Sequence, residues 1–348
     1  MYIHIAERHN KILIAELNED YKVEFKTTKA FQPELLVEAN HETEYKSLLD
    51  NKTLHKIVFD NVKDFKDYKQ NHKNIGNDTL YGDIGPEYQY IRANYKNQKK
   101  FKSRFWYLDI ETAIPDDGFP NPEFTPVPIT LIQIAESDSN TKYILGWMKV
   151  FAEKPDVRYF YYDNEVEMLQ GFIQFQHLKT PAITVAWNGD GFDFPYLVNR
   201  IEKVGLNPND LSPFGVLEEF KSVVFGKEMK IRKPVGYVWL DYIECFKKSD
   251  PSGKESWSLE FMSKYVLGKD IGGKIDYTKE GFKNMHDFLT GKYNPDLDIT
   301  GNLKEHYNKP SFEQAHYNLF VEYGIKDVEI LKDMDKKTGI CNMLVNYA

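Results

Sequence analysis

The sequence predicts an α/β (α+β) protein with a mixed five-stranded sheet in its larger part and a smaller β-rich domain ahead of it. Three observations lead there. From Phe105 onward, short apolar runs of strand length and amphipathic stretches follow one another in the order β-β-β-α-β-α-β. The first three runs are joined only by turn-rich segments and read as an antiparallel meander, whereas the later strands follow helices and read as parallel strands reached by right-handed crossovers. The chain itself starts with two alternating stretches, residues 2–6 and 11–17, joined by the polar Glu7-Arg8-His9-Asn10.

Each element has a local cause. Between those first strands and residue 104 the signals are short and mixed. Tyr88 to Leu108 carries Arg92, Lys96, Lys99, Lys100, Lys102 and Arg104 with no acidic residue, and the pattern changes there. This places a domain boundary at 104, and the basic run is either a solvated linker or a phosphate-contacting strip. The meander comprises residues 105–110, 128–134 and 143–147. Val166, Leu169, Phe172, Ile173 and Gln176 then recur at helical spacing after the polar start Asp163-Asn164-Glu165. Residues 182–187 form a strand after Thr180-Pro181; Leu197, Ile201 and Val204 mark a helix stopped at Gly205; residues 237–241 are the last strand. From Lys269 to Asn308, glycines and polar residues leave little periodicity, so an irregular excursion is expected. Ser311, with Gln314 three residues later, predicts a capping-box start for a helix carrying Phe320, Tyr323, Asp327 and Leu331 and stopped at Gly339. This order resembles the ribonuclease H-like arrangement. It sets domains at 1–104 and 105–338, with a terminal segment, 339–348, whose packing against the N-terminal domain or elsewhere the pattern leaves open.

Composition narrows the function. A chain of 348 residues has a prior of about two domains. Its net charge of −8 argues against coating duplex nucleic acid by bulk electrostatics. It leaves room for a nuclease, because clustered carboxylates become neutral or positive once loaded with divalent cations. Cys245 and Cys341 have no C-x-x-C spacing and read as free thiols of a reducing compartment, without structural zinc. No apolar run approaches the roughly 20 residues that span a bilayer, and residues 1–8 lack the pattern of a secretion signal. Cytoplasmic residence and no membrane partner are the expectation. The nine histidines form no H-x-x-x-H pair, and P-loop, G-x-S-x-G and dinucleotide motifs do not occur.

Three local signals carry chemistry. Asp109-Ile110-Glu111 ends an apolar strand with two acids at i and i+2, which point to one face about 6.6 Å apart along the chain and can meet one cation cluster. Trp187 to Tyr196 links a buried strand to a helix, where ligands of α/β folds gather; Asp193 there is either a helix cap or a ligand, and Asp190 a turn residue. Tyr323 and Asp327, at i and i+4, share a helix face, which can hold a phenol beside a carboxylate.

A strand acid pair, a strand-to-helix Asp and a late-helix Tyr/Asp, in that order and on that topology, resemble the acid set of the DnaQ-like 3′→5′ exonucleases, in the subtype with tyrosine where the other has histidine. F-W-Y-L-D-I-E-T (105–112), N-G-D-G-F-D-F-P-Y (188–196) and Tyr323 to Asp327 look like exonuclease motifs I, II and III of family B DNA polymerases. Similarity to the T-even-type phage branch extends to residues 161–169, 240–243 and 256–260, and is weaker before residue 101. The resemblance implies a proofreading exodeoxyribonuclease working by two-metal phosphodiester hydrolysis. Asp109 would bridge two Mg²⁺ or Mn²⁺ ions roughly 3.5–4 Å apart. Glu111 and Asp327 would serve the ion that activates water, Asp193 the ion facing the leaving oxygen, and Tyr323 would position that water. Phe124 and Phe192 are candidates to stack on terminal bases, unless they are core residues. Asn188, Arg232 and Lys233 are further candidate DNA contacts, the last two on a hairpin formed by residues 229–232 and 236–239, which is either a strand-separating device or an ordinary surface hairpin.

Family B polymerases continue into palm, fingers and thumb, whose D-x-x-S-L-Y-P-S, K-x-x-x-N-S-x-Y-G and Y-G-D-T-D motifs do not occur here; Tyr81-Gly82-Asp83-Ile84-Gly85 lacks the second Asp of the last. The expected partners are a single-stranded or primer-template DNA 3′ end and a C-terminal polymerase chain or domain, either truncated away or encoded by a separate gene; a phage-encoded chain would work in the host cytoplasm. Two other readings stand beside this one. The chain would be an assembly or nucleic-acid-binding module of a split polymerase with little nuclease activity of its own, or a free-standing DnaQ-like nuclease acting on RNA.

Overall fold

The alternation at the start of the chain forms β1 (Tyr2–Arg8) and β2 (Lys11–Leu17), an antiparallel pair extended by β3 (Val23–Thr27). The computed structural model describes residues 1–20, 22–28, 31–74, 80–96, 104–115, 118–151, 154–224, 226–268 and 273–347. The chain divides into two units, Met1–Lys100 and Phe101–Ala348. The first unit continues with β4 (Glu34–Glu38), β5 (Tyr45–Lys46), β6 (Thr53–Val58), α1 (Val62–Asn74), β7 (Leu80–Tyr81) and α2 (Pro86–Asn94), and its second sheet has the order β5-β6-β4-β7. Each sheet has its own apolar cluster: Ile5, Ile12 and Ile14 pack with Tyr90 and Ile91 of α2, while Leu35, Phe59 and Phe65 pack with Tyr68 of α1. Of the basic run, Arg92 and Lys96 are exposed and Arg104 pairs with Asp138 at 3.0 Å. Lys99, Lys100 and Lys102 lie outside the described residues.

In the second unit the predicted meander is β8 (Phe105–Thr112), β9 (Ile129–Glu136) and β10 (Lys142–Gly146). It is followed by β11 (Val157–Tyr161), α3 (Glu165–Lys179), β12 (Ile183–Ala186), α4 (Asp193–Lys203), the hairpin β13 (Leu217–Val224) and β14 (Lys227–Pro234), and β15 (Val238–Asp241). The main sheet has the order β11-β10-β9-β8-β12-β15, with β8, β9 and β10 antiparallel and β11, β12 and β15 added in parallel. Among the described residues it therefore holds six strands, one more than the pattern predicts. The added strand is an edge; three of its five residues are exposed, and it lacks the apolar run of an interior strand.

Alternation along β8 sorts its side chains. Trp106 stacks on Phe175 of α3, with ring centroids 5.4 Å apart. On the opposite face, Tyr107, Asp109 and Glu111 meet α8 (Phe312–Thr338), where the Tyr107 hydroxyl donates to Asp335 at 2.8 Å. Between β15 and α8 run α5 (Tyr242–Ser249), α6 (Leu259–Leu267) and α7 (Met285–Thr290). A final helix, α9 (Ile340–Tyr347), follows Gly339, whose φ of 69° ends α8, and lies against α5. Among the described residues no helix is long and apolar enough to cross a membrane.

Two local expectations are corrected. Ser311 does begin α8, but no capping box forms: its hydroxyl pairs with His306, and the Gln314 amide donates to the carbonyl of Val150 and to Asn318. The hairpin is 217–224 with 227–234, not 229–232 with 236–239. Gly226, at φ 78°, makes its turn, Pro234 stays paired with Leu217, and the stretch after Gly236 enters the main sheet as β15. Mixed charge in Leu217–Val224 conceals that strand in the sequence. Asn164, by contrast, caps α3 as its polar start suggests, accepting from the Glu167 N–H at 3.0 Å. Asn164→Ala should lower stability by about 1 kcal/mol in a denaturant titration; an unchanged midpoint would show that the cap contributes nothing.

Candidate active site

Three separate parts of the chain deliver acids to one place. β8 carries Asp109 and Glu111 at its carboxyl end, on one face, as i and i+2 require. The turn after β12 leads into α4, whose first residue is Asp193. The long α8 brings Tyr323 and Asp327, both buried, across the same face of the sheet. One carboxylate oxygen each from Asp109, Glu111 and Asp327 lie within 4.8 Å of one another. Asp193 lines the same cleft, a cavity of about 610 Å³.

The turn that places Asp193 is tightly specified. Asn188 takes φ 59°, and its carbonyl accepts from the N–H groups of Gly191 and Phe192. Gly189 must lack a side chain, because a Cβ there would stand 2.5 Å from the Phe194 ring. The Asp190 N–H donates to Asp241 at 3.0 Å, and the Asp190 carboxylate pairs with Lys233 at 2.5 Å. Asp190 is thus a turn residue held from two sides. Phe192 is the N-cap of α4, without a side-chain capping bond, so Asp193 does not fill that place. On the far side of α4, Arg200 grips Glu165 with two bonds of 2.7 and 2.8 Å, and Glu165 accepts from the Ile129 N–H, tying α3, α4 and β9 together.

Electrostatics set this cluster apart. Burial, then repulsion by Asp193, Glu111 and Asp327, holds the Asp109 carboxyl well above the usual carboxylate range. Burial and then Asp327 push Glu111 to about 8. Burial also brings Asp193 to about 8, opposed by backbone N–H groups of Asp193 and Ile110 and helped by the charges of Asp241 and Asp327. Asp327 is raised by burial and relieved by Lys274. Four carboxyls crowded against their own repulsion carry more negative charge than the single Lys274 ammonium beside them offsets, and among the described residues the buried Oδ1 atoms of Asp193 and Asp327 have no hydrogen-bond partner. Hard oxygen donors with unsatisfied lone pairs suit divalent cations such as Mg²⁺ or Mn²⁺.

One cation is already present in the chain itself. Lys274 Nζ lies 2.5 Å from Asp327 Oδ2 and donates to the Tyr323 hydroxyl at 3.0 Å. Burial alone would lower its pKa, but the charge of Asp327 outweighs this and leaves the ammonium firmly protonated. Tyr323 is raised by burial, so its hydroxyl keeps its proton. Lys274 escapes sequence reasoning because it sits in the glycine-rich excursion, where no periodicity marks it. The excursion is well packed where it is described: Phe282, Phe288 and Leu303 are buried with Tyr317, Phe320 and Tyr323 of α8. Met285, His286 and Leu289 of α7 line the cleft.

The remaining candidates divide. Asn188 and Phe192 line the cleft, and Phe192 packs beside Phe119, 81% exposed, at 5.0 Å between ring centroids. Phe119 was signalled only by an aromatic in a proline- and glycine-rich loop. Phe124 is exposed but is not among the described residues that line the cleft. Arg232 bonds Glu202 and Asn199, and Lys233 pairs with Asp190 beneath the Phe194 and Phe220 rings, so both cations are engaged within the protein.

A mixed sheet of this order, with acids from its central strand, a strand-to-helix turn and a crossing helix, defines a ribonuclease H-like domain of the exonuclease kind. The chain belongs to the family described as DNA polymerase family B, exonuclease domain, whose profile matches residues 53–262. A DNA-directed DNA polymerase of Enterobacteria phage T4 is 24% identical over 377 residues, covering 100% of this chain and 38% of that protein. That of Escherichia phage RB69 is 28% identical over 255 residues, 63% of this chain and 27% of that protein. A DNA polymerase of Pyrococcus glycovorans is 34% identical over 99 residues, 28% of this chain and 12% of that protein. The chain thus spans less than two fifths of the length of these relatives.

Proposed function

We propose that the chain is the proofreading 3′→5′ exodeoxyribonuclease portion of a family B replicative DNA polymerase, removing 3′-terminal nucleotides from single-stranded or frayed DNA. The convergence of Asp109, Glu111 and Asp327 beside Asp193 carries this reading. Two divalent ions, Mg²⁺ or Mn²⁺, held by these four carboxylates, would supply charge neutralisation at the scissile phosphate and a water of lowered pKa. The chain's own groups do the rest. Tyr323, its hydroxyl fixed by Lys274, keeps its proton and donates it as a hydrogen bond that orients the attacking water. Lys274 moves its ammonium from Asp327 toward a phosphate oxygen. Phe119 and Phe192 offer stacking faces at the cleft for a terminal base, with Asn188 beside them; an unpaired end alone can thread such a site.

The segment 1–104 is the N-terminal domain in this reading, 105–338 the exonuclease domain, and synthesis belongs to a C-terminal polymerase domain or chain that partners it inside the cell, host cytoplasm for a phage gene. The test uses single-stranded oligodeoxynucleotides labelled at the 5′ end. They should shorten stepwise from the 3′ end with Mg²⁺ or Mn²⁺, stay whole with chelator, and be cut faster than matched RNA. Cleavage that survives the chelator would sink the metal role. Intact DNA with both metals would leave an assembly module instead.

A further inference from the structure

Gln133 sits in the middle of β9, fully buried, and among the described residues neither its amide oxygen nor its amide nitrogen has a hydrogen-bond partner. Buried amides are almost always paired, because a dry one forfeits its bonds to water. Leu or Met would fill the same space without that cost, so stability does not account for an amide here. Its neighbours do. Gln133 is the cross-strand partner of Asp109, and directly opposed side chains leave the same face with Cβ atoms roughly 4.5–5.5 Å apart. On that face α8 approaches so closely that a Cβ on Gly324 would stand 2.1 Å from Gln133 Nε2. Asp327 follows Gly324 by three residues on the same helix face, and its Oδ1 is likewise buried and unpartnered. The amide therefore lies behind the acid cluster, between the strand that carries Asp109 and the helix turn that carries Asp327.

We propose that Gln133 is a positioning residue for the cluster: its amide N–H reaches one oxygen of Asp109 through one buried water and sets the rotation that turns the other oxygen into the cleft. An amide suits the task. It donates at every pH and brings no charge, so unlike Lys274 it does not compete with a cation for the carboxylate. Gly324 is the counterpart, leaving the room that the amide occupies. The inference rests on the reading of the cluster as a metal site.

The test is made on the full chain with Gln133→Leu and Gln133→Met, read by Mn²⁺ titration and by thermal unfolding in chelator. Both variants should melt at or above the parent's temperature, since a buried amide whose oxygen has no partner among the described residues gives way to an apolar side chain of similar size. Their Mn²⁺ affinity should fall about 10- to 100-fold, the usual effect of losing an outer hydrogen bond to a ligand. Unchanged affinity in both variants overturns the role of Gln133 and leaves the metal reading standing. A lower melting temperature accompanying the affinity loss in both also overturns it, as general loosening of the sheet. If Leu fails to fold, the unbranched Met variant decides; if neither folds, Gln133 is structural and the proposal falls. A parent that binds no Mn²⁺ defeats the metal reading itself.

Discussion

Asp109→Ala is expected to abolish measurable trimming of a single-stranded 3′ end, a loss of about a thousandfold or more, while making the metal-free protein harder to unfold. The activity loss follows from geometry. Asp109 is a carboxylate whose charge interacts with those of all three others, Asp193, Glu111 and Asp327, and one of its oxygens lies within 4.8 Å of those of Glu111 and Asp327, so it would be a principal ligand of the proposed metals. Metal stabilisation of transition-state charge is worth several kcal/mol, and each ~1.4 kcal/mol is a factor of ten in rate. The stability gain follows from the same repulsion, because removing one of four crowded carboxyls relieves the other three. Rate and melting temperature should therefore move in opposite directions, which no loss of folding can imitate. Undiminished cleavage by Asp109→Ala, with Asp327→Ala as its companion, would remove the assigned site.

Such opposition between folding and function also explains which parts of the protein its sequence declares. Asp109 and Glu111 stand out because acids at the end of an apolar strand contradict their surroundings, and a period of two already puts them on one face. Tyr323 and Asp327 stand out less, yet their spacing of four fixes a common helix face. Lys274 has no such mark: its partner, Asp327, is more than fifty residues away, and an ion pair between distant parts of the chain leaves no period in the sequence. β11 is invisible to the pattern for a related reason, since an edge strand with three exposed residues carries no apolar run. The expected hairpin is displaced because Lys233-Pro234 resembles a turn in sequence, whereas Pro234 is tolerated at the end of a two-stranded ribbon and Gly226 supplies the left-handed φ. Gln133 carries a readable signal, a lone amide inside the apolar run Ile129-Thr130-Leu131-Ile132-Gln133-Ile134, although that run alone suffices to mark the strand. Polar residues that break a good apolar pattern are where this sequence spoke most directly about its site.

Lys274→Met should have the second large effect, and its size depends on pH. In the metal-free protein Lys274 is the cation that relieves Asp327, and removing one partner of a buried pair costs about 3–5 kcal/mol when the other stays charged. An acid whose folded pKa lies above its unfolded value, near 4, favours the fold at low pH and loses that contribution as the pH climbs through the folded value, here about 8 for Glu111 and Asp193. The metal-free parent should thus lose melting temperature between pH 5 and pH 8. Lys274→Met should lose more over the same window and differ least from the parent at pH 5, where the carboxyls take up protons instead. Saturating Mn²⁺ should flatten both curves, because cations replace protons as the source of positive charge. Trimming by the variant should still fall roughly a hundredfold in saturating Mn²⁺, as for loss of one preorganised donor to a reacting phosphate. Melting curves at pH 5, 6.5 and 8, in chelator and in Mn²⁺, separate the two roles of the ammonium. If the metal-free parent grows more stable from pH 5 to pH 8, the carboxyls are not repelling one another, and Lys274 neutralises nothing.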